Sequence, residues 1–152
     1  MRQDANPIPM TDSYDNAPLA DRMTMFVPHA ASLGMELISA GDGRGVMRTP
    51  WREELVGDPD TGVIASGVVT ALIDHVCGLA INSAHGEPSP IATLDLRIDY
   101  LRAAAPRTGI TAEAHGYKVT HSIGFVRAHA WDTDPDNPVA TAQATFMFNP
   151  RG

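Results

Sequence analysis

The stretch that decides the fold is GVIASGVVTALIDHVCGLAINSA, which spans residues 62–84. From Gly67 onwards, apolar residues recur at helical spacing around most of the circumference, a pattern typical of a helix buried in a protein core. One carboxylate, Asp74, lies in the middle of this helix, on a side that also carries small residues. Because an isolated buried carboxylate costs free energy unless it is hydrogen-bonded or paired, Asp74 has either a structural partner or a chemical role. The helix pattern leaves both open.

The segments around this helix have the patterns of antiparallel strands. Two short alternating runs at 34–40 and 45–50 flank the turn GDGRG, which predicts a hairpin. After the helix, ATLDLRIDYL at 92–101 predicts the clearest strand of the chain. Its apolar face is predicted to consist of Leu94, Leu96, Ile98 and Tyr100. Three more strands are predicted at 110–119, 123–131 and 139–148.

Two further segments complete the chain. Residues 17–33 predict a short helix and a turn, because Pro28 interrupts the segment. Residues 51–61 predict a polar loop. The order of hairpin, long buried helix and four antiparallel strands predicts the α+β class, with a curved antiparallel sheet wrapped around one central helix. A length of 152 residues suits one domain. Residues 1–18 are rich in Pro, Asn and Asp and predict a flexible N-terminal extension, which leaves 19–150 as the domain.

The composition restricts the class of protein and its partners. The chain has 43% apolar residues and one cysteine, which favours a reduced, cytoplasmic protein without disulfides. No signal-like apolar segment follows Met1, and no apolar run reaches membrane-spanning length without a charge or a glycine. We therefore expect no membrane partner. The net charge of −7 argues against nucleic acid as a partner.

Four stretches, taken in order, carry a family resemblance. The helix begins with ASG at 65–67, continues with VVTALI and Asp74, and then has GLA. The strand ATLDLRIDYLRAA follows at 92–104, and the later stretches are YKVTHSIGFVRAHAW and PVATAQATFMF. Together they resemble the PaaI-like acyl-CoA thioesterases, a family with the hotdog fold, over residues 34–148.

The resemblance implies hydrolysis of the thioester of a hydrophobic acyl- or aryl-CoA, with coenzyme A as part of the substrate, no other cofactor and no metal. It also implies a homodimer, with a dimer of dimers as the larger alternative. Asp74 matches the family's catalytic carboxylate. The backbone N–H of Ser66 or Gly67 matches the donor that polarises the thioester carbonyl, and Thr93 matches a residue that positions water or substrate.

The chain departs from the family pattern near the start of the helix. Ala65 and Ser66 stand where the family usually has His and Gly, and Pro59 stands where some members carry Asn. These departures keep a second hypothesis open, a non-catalytic acyl-CoA-binding dimer. A hydratase of the same fold is a weaker third hypothesis, because such enzymes use a nearby Asp/His pair that is not evident here.

The chemistry of thioester hydrolysis explains why these residue types matter. A carboxylate that a helix shields from water can take a proton from a water molecule or attack directly. The first amides of a helix carry partial positive charge and suit an oxyanion. Gly67 and Asp74 are about 10 Å apart along a helix, so one carbonyl cannot meet both within one subunit; in related dimers the two come from opposite subunits. The side chain of Ser66 also has a simpler interpretation as the helix N-cap.

Basic residues are concentrated in one segment of this acidic chain. Between 97 and 127, five of the eleven basic residues oppose only two acidic ones. Such a segment can bind a small anionic ligand or can be a solvated strand face. With coenzyme A in the substrate, the predicted phosphate contacts are Arg102, Arg107, Lys118, His121 and Ser122.

Other reactive side chains give weaker patterns. His75 and Cys77 are two residues apart on a helix, so they face different ways and do not form a Cys–His dyad. Cys77 is therefore interpreted as a core residue. His115, His121 and His129 lack the pairing of metal ligands, and we expect no metal site.

Overall fold

The computed structural model describes residue 22 and residues 26–86 and 89–148. The extension that the sequence predicts at 1–18 lies outside these residues and stays a prediction. In chain order the elements are α1 (Pro28–Ser32), β1 (Glu36–Gly41), β2 (Arg44–Thr49), a 3-10 turn (Glu53–Leu55), β3 (Val56–Asp58), β4 (Val63–Ile64), α2 (Ser66–His85), β5 (Ile91–Tyr100), β6 (Ile110–Val119), β7 (Ile123–Trp131) and β8 (Ala140–Phe148).

The main sheet has six antiparallel strands in the order β1-β2-β6-β7-β8-β5. The predicted hairpin is confirmed as β1 and β2, and the four strands predicted after the helix are confirmed as β5 to β8. β5 does not pair with β6, its successor in the chain, but with β8 at the edge of the sheet. The predicted polar loop at 51–61 contains β3, which forms a separate two-stranded sheet with β4.

α2 packs against one face of the main sheet and supplies much of the core. Ten of its 20 residues are buried. At Gly124 of β7 a Cβ atom would collide with the side chain of Ile81, and Gly45 of β2 leaves similar room for Leu79. α2 is also long and apolar enough to cross a membrane, a property that core helices share because they too bury apolar side chains. The predicted α+β architecture is confirmed.

One stripe of α2 is not covered by the sheet. Ser66 and Gly67 at its start are exposed, and Thr70, Asp74 and Asn82 are partly exposed. The helix is therefore buried on most of its circumference, as its pattern predicts. Its one carboxylate, however, lies at the border between core and surface.

The first helix begins where the sequence predicts an interruption. α1 starts at Pro28, because proline has a fixed φ and no N–H, and therefore suits the first helical position. Apart from Arg22 and Phe26–Val27, the preceding part of the predicted helix lies outside the described residues.

A β-bulge in β5 changes which side chains face α2. Thr93 of β5 pairs with Phe146 of β8, and Asp95 pairs with the adjacent Thr145. Leu94, between them, has no partner in β8 and is the extra residue of the bulge. Leu94 is consequently 53% exposed, and its predicted place on the apolar face is wrong. Thr93, whose partner Phe146 is buried, takes that place on the helix side of the sheet.

An ion pair joins the end of β5 to the loop between β7 and β8. The guanidinium of Arg102 donates to both carboxylate oxygens of Asp132, at 2.8 and 2.6 Å. The Asp132 side chain is only 2% exposed, and it also accepts the backbone N–H of Ala105. The hydrogen bonds from Arg102 hold the pKa of the Asp132 carboxyl well below its usual range. Arg102 therefore links the segment after β5 to the loop between β7 and β8.

We expect Asp132→Asn to lower the midpoint of thermal unfolding by several degrees at neutral pH, because it leaves the Arg102 guanidinium without its carboxylate. Since the native pKa of Asp132 is depressed, the stability from this pair is present above the ordinary aspartate pKa of about 4 and is lost as the pH falls below it. Urea unfolding at several pH values should show the largest gap between variant and wild type near neutral pH.

Asp136→Asn is the matched control, because Asp136 is an exposed carboxylate in the same loop. It should unfold like the wild type throughout the pH range. A gap for Asp132→Asn that did not change with pH would show that the charge of Asp132 contributes nothing to stability.

Candidate active site

Asp74 lies in an open cleft between α2 and β5. The cleft has a volume of about 360 Å³, and its wall includes Asp74, Gly78 and Asn82 of the helix and Ile91 and Thr93 of the strand. The three helix residues follow one another at four-residue intervals, so they form one stripe along the axis. The cleft is thus a groove that starts at the carboxylate and follows the uncovered stripe of α2.

The carboxylate of Asp74 has one hydrogen-bond partner in the described part of the chain. Thr93 Oγ1 donates to Asp74 Oδ1 at 2.9 Å. The β5 bulge makes this bond possible, because it turns Thr93 towards the helix. Asp74 is partly exposed, and its second oxygen has no protein donor among the described residues. The helix pattern also allowed a core Asp whose hydrogen bonds are all made within the protein. Asp74 is not such a residue.

The first turn of α2 has free amide donors. Its N-cap is Ala65 and no side chain caps the turn, so the interpretation of Ser66 as the N-cap is wrong. The N–H groups of Val68 and Val69 are directed to the Ala65 carbonyl, whereas those of Ser66 and Gly67 have no acceptor within the described ranges. A Cβ atom at Gly67 would meet nothing within 4 Å, which leaves open space above these amides.

Tyr100, at the end of β5, contacts the same first turn. Its hydroxyl donates to the carbonyl oxygen of Ser66 at 2.9 Å and also bonds with Thr70 Oγ1. The strand pattern treats Tyr100 only as part of an apolar face. A general rule could have predicted this contact, because a tyrosine hydroxyl on the core side of a strand needs a polar partner.

The predicted phosphate contacts do not come together in one protomer. The Arg102 guanidinium is engaged by Asp132, so we assign no phosphate to it. Arg107 and Lys118 lie at opposite ends of β6, roughly 30 Å apart at 3.4 Å per residue plus the turn. His121 and Ser122 are in the exposed turn after β6, on the side of Lys118.

The two ends of β6 differ in their surroundings. The backbone N–H of Arg107 donates to the carbonyl of Gly62, next to the loop that carries Asp58 and Asp60. The turn at the other end is close to the cleft, because the carbonyl of Ser122 accepts the N–H of Phe148 at 2.9 Å. Phe148 pairs with Ile91, a cleft residue.

His75 and Cys77 have different surroundings, as their spacing predicts. Cys77 is fully buried, and burial, with a smaller contribution from Asp74, raises the pKa of its thiol to about 12. It therefore stays protonated, and its interpretation as a core residue is confirmed. His75 lines the cleft beside Asp74, a position that we did not predict. An Asp and a His therefore line the same cleft, which corrects the expectation that no such pair is present.

The other histidines do not form a metal site in the described part of the chain. No group of three His, Cys, Asp or Glu side chains there is arranged to hold an ion. His115 and His129 line a shallow groove on the outer face of the sheet, away from Asp74.

Comparisons with known proteins agree with this architecture. The family model described as Thioesterase superfamily matches residues 61–139. A protein of Halobacterium salinarum named "Putative esterase" is 36% identical over 123 residues, which cover 75% of this chain and 80% of that protein. A solved structure from Pseudomonas aeruginosa is 32% identical with a TM-score of 0.77, covering 87% of this chain and 100% of the other.

PaaI proteins are among the structural neighbours. The PaaI protein of the E. coli phenylacetic acid degradation operon has a TM-score of 0.71 at 19% identity, covering 82% of this chain and 88% of that one, a likeness that concerns the fold alone. The predicted hotdog fold and the resemblance to the PaaI-like thioesterases are confirmed. The family match includes α2 with Asp74 and β5 with Thr93, and the chain belongs to the thioesterase superfamily.

Proposed function

We propose that this protein is an acyl-CoA thioesterase that hydrolyses the thioester of a hydrophobic acyl or aryl acid. Membership of the thioesterase superfamily supports thioester hydrolysis in general. The observation that carries the proposal is the Asp74–Thr93 pair in an open cleft, at 2.9 Å. A carboxylate that is held by one hydroxyl and has its other oxygen free is suited to activate water.

In the proposed mechanism Asp74 acts as the general base. Thr93 fixes one carboxylate oxygen, and the other takes a proton from a water molecule as the water oxygen bonds to the thioester carbon. The carbonyl oxygen becomes an oxyanion, which the helix amides stabilise. When the tetrahedral intermediate collapses, the carbon–sulfur bond breaks, and the coenzyme A thiolate leaves and takes up the proton that Asp74 removed from water, which restores the Asp74 carboxylate.

The proposed catalytic unit is a homodimer. Gly67 and Asp74 are about 10 Å apart along α2, so the oxyanion donor for one Asp74 is Gly67 of the partner subunit. Two features support a contact between copies at this face. β5 is an edge strand with Leu94 exposed on it and Leu101 exposed directly after it, and the adjoining stripe of α2 is uncovered. Unpaired strand edges with apolar side chains favour association. Pairing of two dimers stays a prediction.

For the phosphates of coenzyme A we propose the turn after β6, with Lys118, His121 and Ser122. This turn is close to the cleft and away from the acidic loop that adjoins Arg107. A local cation is needed there, because the net charge of −7 repels a multiply phosphorylated substrate.

A non-catalytic acyl-CoA-binding dimer is the second candidate. The observation in its favour is Ala65, an apolar N-cap at the position where PaaI-like proteins usually have His. It predicts binding of acyl-CoA without release of thiol.

We expect Asp74→Asn to stay folded and to lower turnover by about 100-fold or more, because a positioned base contributes ~10²–10⁴ in rate. Thr93→Ala should cost about tenfold, the equivalent of one hydrogen bond. Release of free thiol from a panel of acyl-CoA substrates measures both. Asp95→Asn, an exposed carboxylate on the same strand, is the matched control and should not change the rate.

Full turnover by a folded Asp74→Asn protein would remove Asp74 from the mechanism. A wild type that binds acyl-CoA but releases no thiol from any member of the panel would favour the non-catalytic dimer.

Lys118→Ala should raise KM for acyl-CoA several-fold and leave kcat nearly unchanged, because phosphate binding remote from the carbonyl is similar in ground and transition states. The effect should shrink as salt screens the exposed charge. A short acyl thioester without the nucleotide should not respond. Arg107→Ala is the comparison variant, and a rise in KM for Arg107→Ala alone would put the phosphates at the opposite end of β6.

A further inference from the structure

Two hydroxyl groups converge on one backbone carbonyl in the first turn of α2. Tyr100 Oη donates to the Ser66 oxygen at 2.9 Å, and Thr70 Oγ1 donates to the same oxygen at 3.1 Å. The two hydroxyls are also within hydrogen-bonding distance of each other. Since each has only one proton, a bond between them takes the place of one of the two bonds to the carbonyl. Tyr100 belongs to β5, so this network ties the start of the helix to the edge strand. Neither hydroxyl has a role in the mechanism above.

The carbonyl of Ser66 and the N–H of Gly67 are parts of the same peptide group. That group is planar, and its C–N bond has partial double-bond character. Hydrogen bonds donated to the oxygen withdraw electron density through the amide, so they make the N–H a stronger donor. They also fix the orientation of the peptide plane, and thereby the direction in which the N–H of Gly67 points.

The first turn of α2 has a particular need for such support. Its N-cap is Ala65 and no side chain caps it, and helix ends without caps fray. A capping hydroxyl on the amide side would stop the fraying but would also occupy the free N–H groups. Bonds to the Ser66 carbonyl hold the turn from the opposite side and leave the N–H of Gly67 available.

We propose that Tyr100 is a positioning residue for the oxyanion donor. With Thr70 it orients and polarises the Ser66–Gly67 peptide, so that the N–H of Gly67 stabilises the charge that develops on the thioester oxygen. The inference rests on the proposed thioesterase function and extends it to a residue that does not touch the substrate. An oxyanion exists only after attack, so the contribution of Tyr100 is larger in the transition state than in the bound substrate.

The test compares Tyr100→Phe with Tyr117→Phe. The two tyrosines are similarly exposed, at 46% and 45%, but the Tyr117 ring packs with Arg127 and Phe125, away from α2. Tyr100→Phe should lower kcat about fivefold to tenfold with little change in KM, and Tyr117→Phe should change neither. Thr70→Val should have a similar effect, and the double variant should lose less than the product of the two, because both hydroxyls act on one carbonyl.

A second readout does not depend on activity. The amide proton of Gly67, observed by NMR in labelled protein, should move upfield in Tyr100→Phe as the N–H becomes less polarised, and should stay in place in Tyr117→Phe. A Gly67 resonance that does not move overturns the inference. So does a resonance that moves while kcat stays at the wild-type value.

The two proposals fail in distinguishable ways. A wild type without turnover on any acyl-CoA overturns the proposed function, and the catalytic role of Tyr100 with it, whatever the amide resonance shows. A wild type that turns over, with kcat unaffected by Tyr100→Phe, overturns only the role of Tyr100.

Discussion

The packing of α2 on one face of the six-stranded sheet is the constraint on which the rest of the structure depends. Ten helix residues are buried by it, and at about 25 cal/mol per Å² of apolar surface this burial is the main source of stability for a domain of this size. Gly124 and Gly45 allow the helix to lie close to the strands. The sheet covers only part of the circumference, so one stripe of the helix stays accessible, and that stripe carries Asp74.

The candidate site follows from this partial cover. Asp74 is fixed by the rigid helix on which it lies and by one hydrogen bond from the edge strand. The free amides at the helix start belong to the same stripe, yet they are about two turns away. In the proposed mechanism a single protomer therefore presents two halves of a site that do not meet. The edge position of β5, beside the same stripe, is where a second copy can supply the missing half.

Much of this architecture could be predicted from periodicity. The long helix was identified because apolar residues recur at helical spacing over several turns. The limits of β6 and β7 agree with the prediction, because clear turn residues bound both strands. The family resemblance identified Asp74 and Thr93, which the structure brings into contact. Burial also confirmed Cys77 as part of the core.

What could not be predicted depends on contacts between distant segments. The β5 bulge is set by pairing with β8, so the local alternation assigned Leu94 to the wrong face. Arg102 was predicted to bind phosphate, but Asp132, thirty positions later, engages it; charge counting along the chain cannot reveal such a partner. Arg107 and Lys118 are close in sequence, but a full strand separates them.

The central claim is that each active site combines Asp74 of one subunit with a helix amide of the other, and a complementation experiment tests it most directly. Gly67→Pro removes the amide donor in the first turn of the helix, where proline is tolerated, and the Cβ atom that it adds meets nothing within 4 Å. Homodimers of Gly67→Pro and of Asp74→Asn should both be nearly inactive. Co-expressed, they should recover about a quarter of wild-type activity, because half of the dimers are mixed and each mixed dimer has one complete site. Activity no higher than that of the separate variants would contradict the shared site.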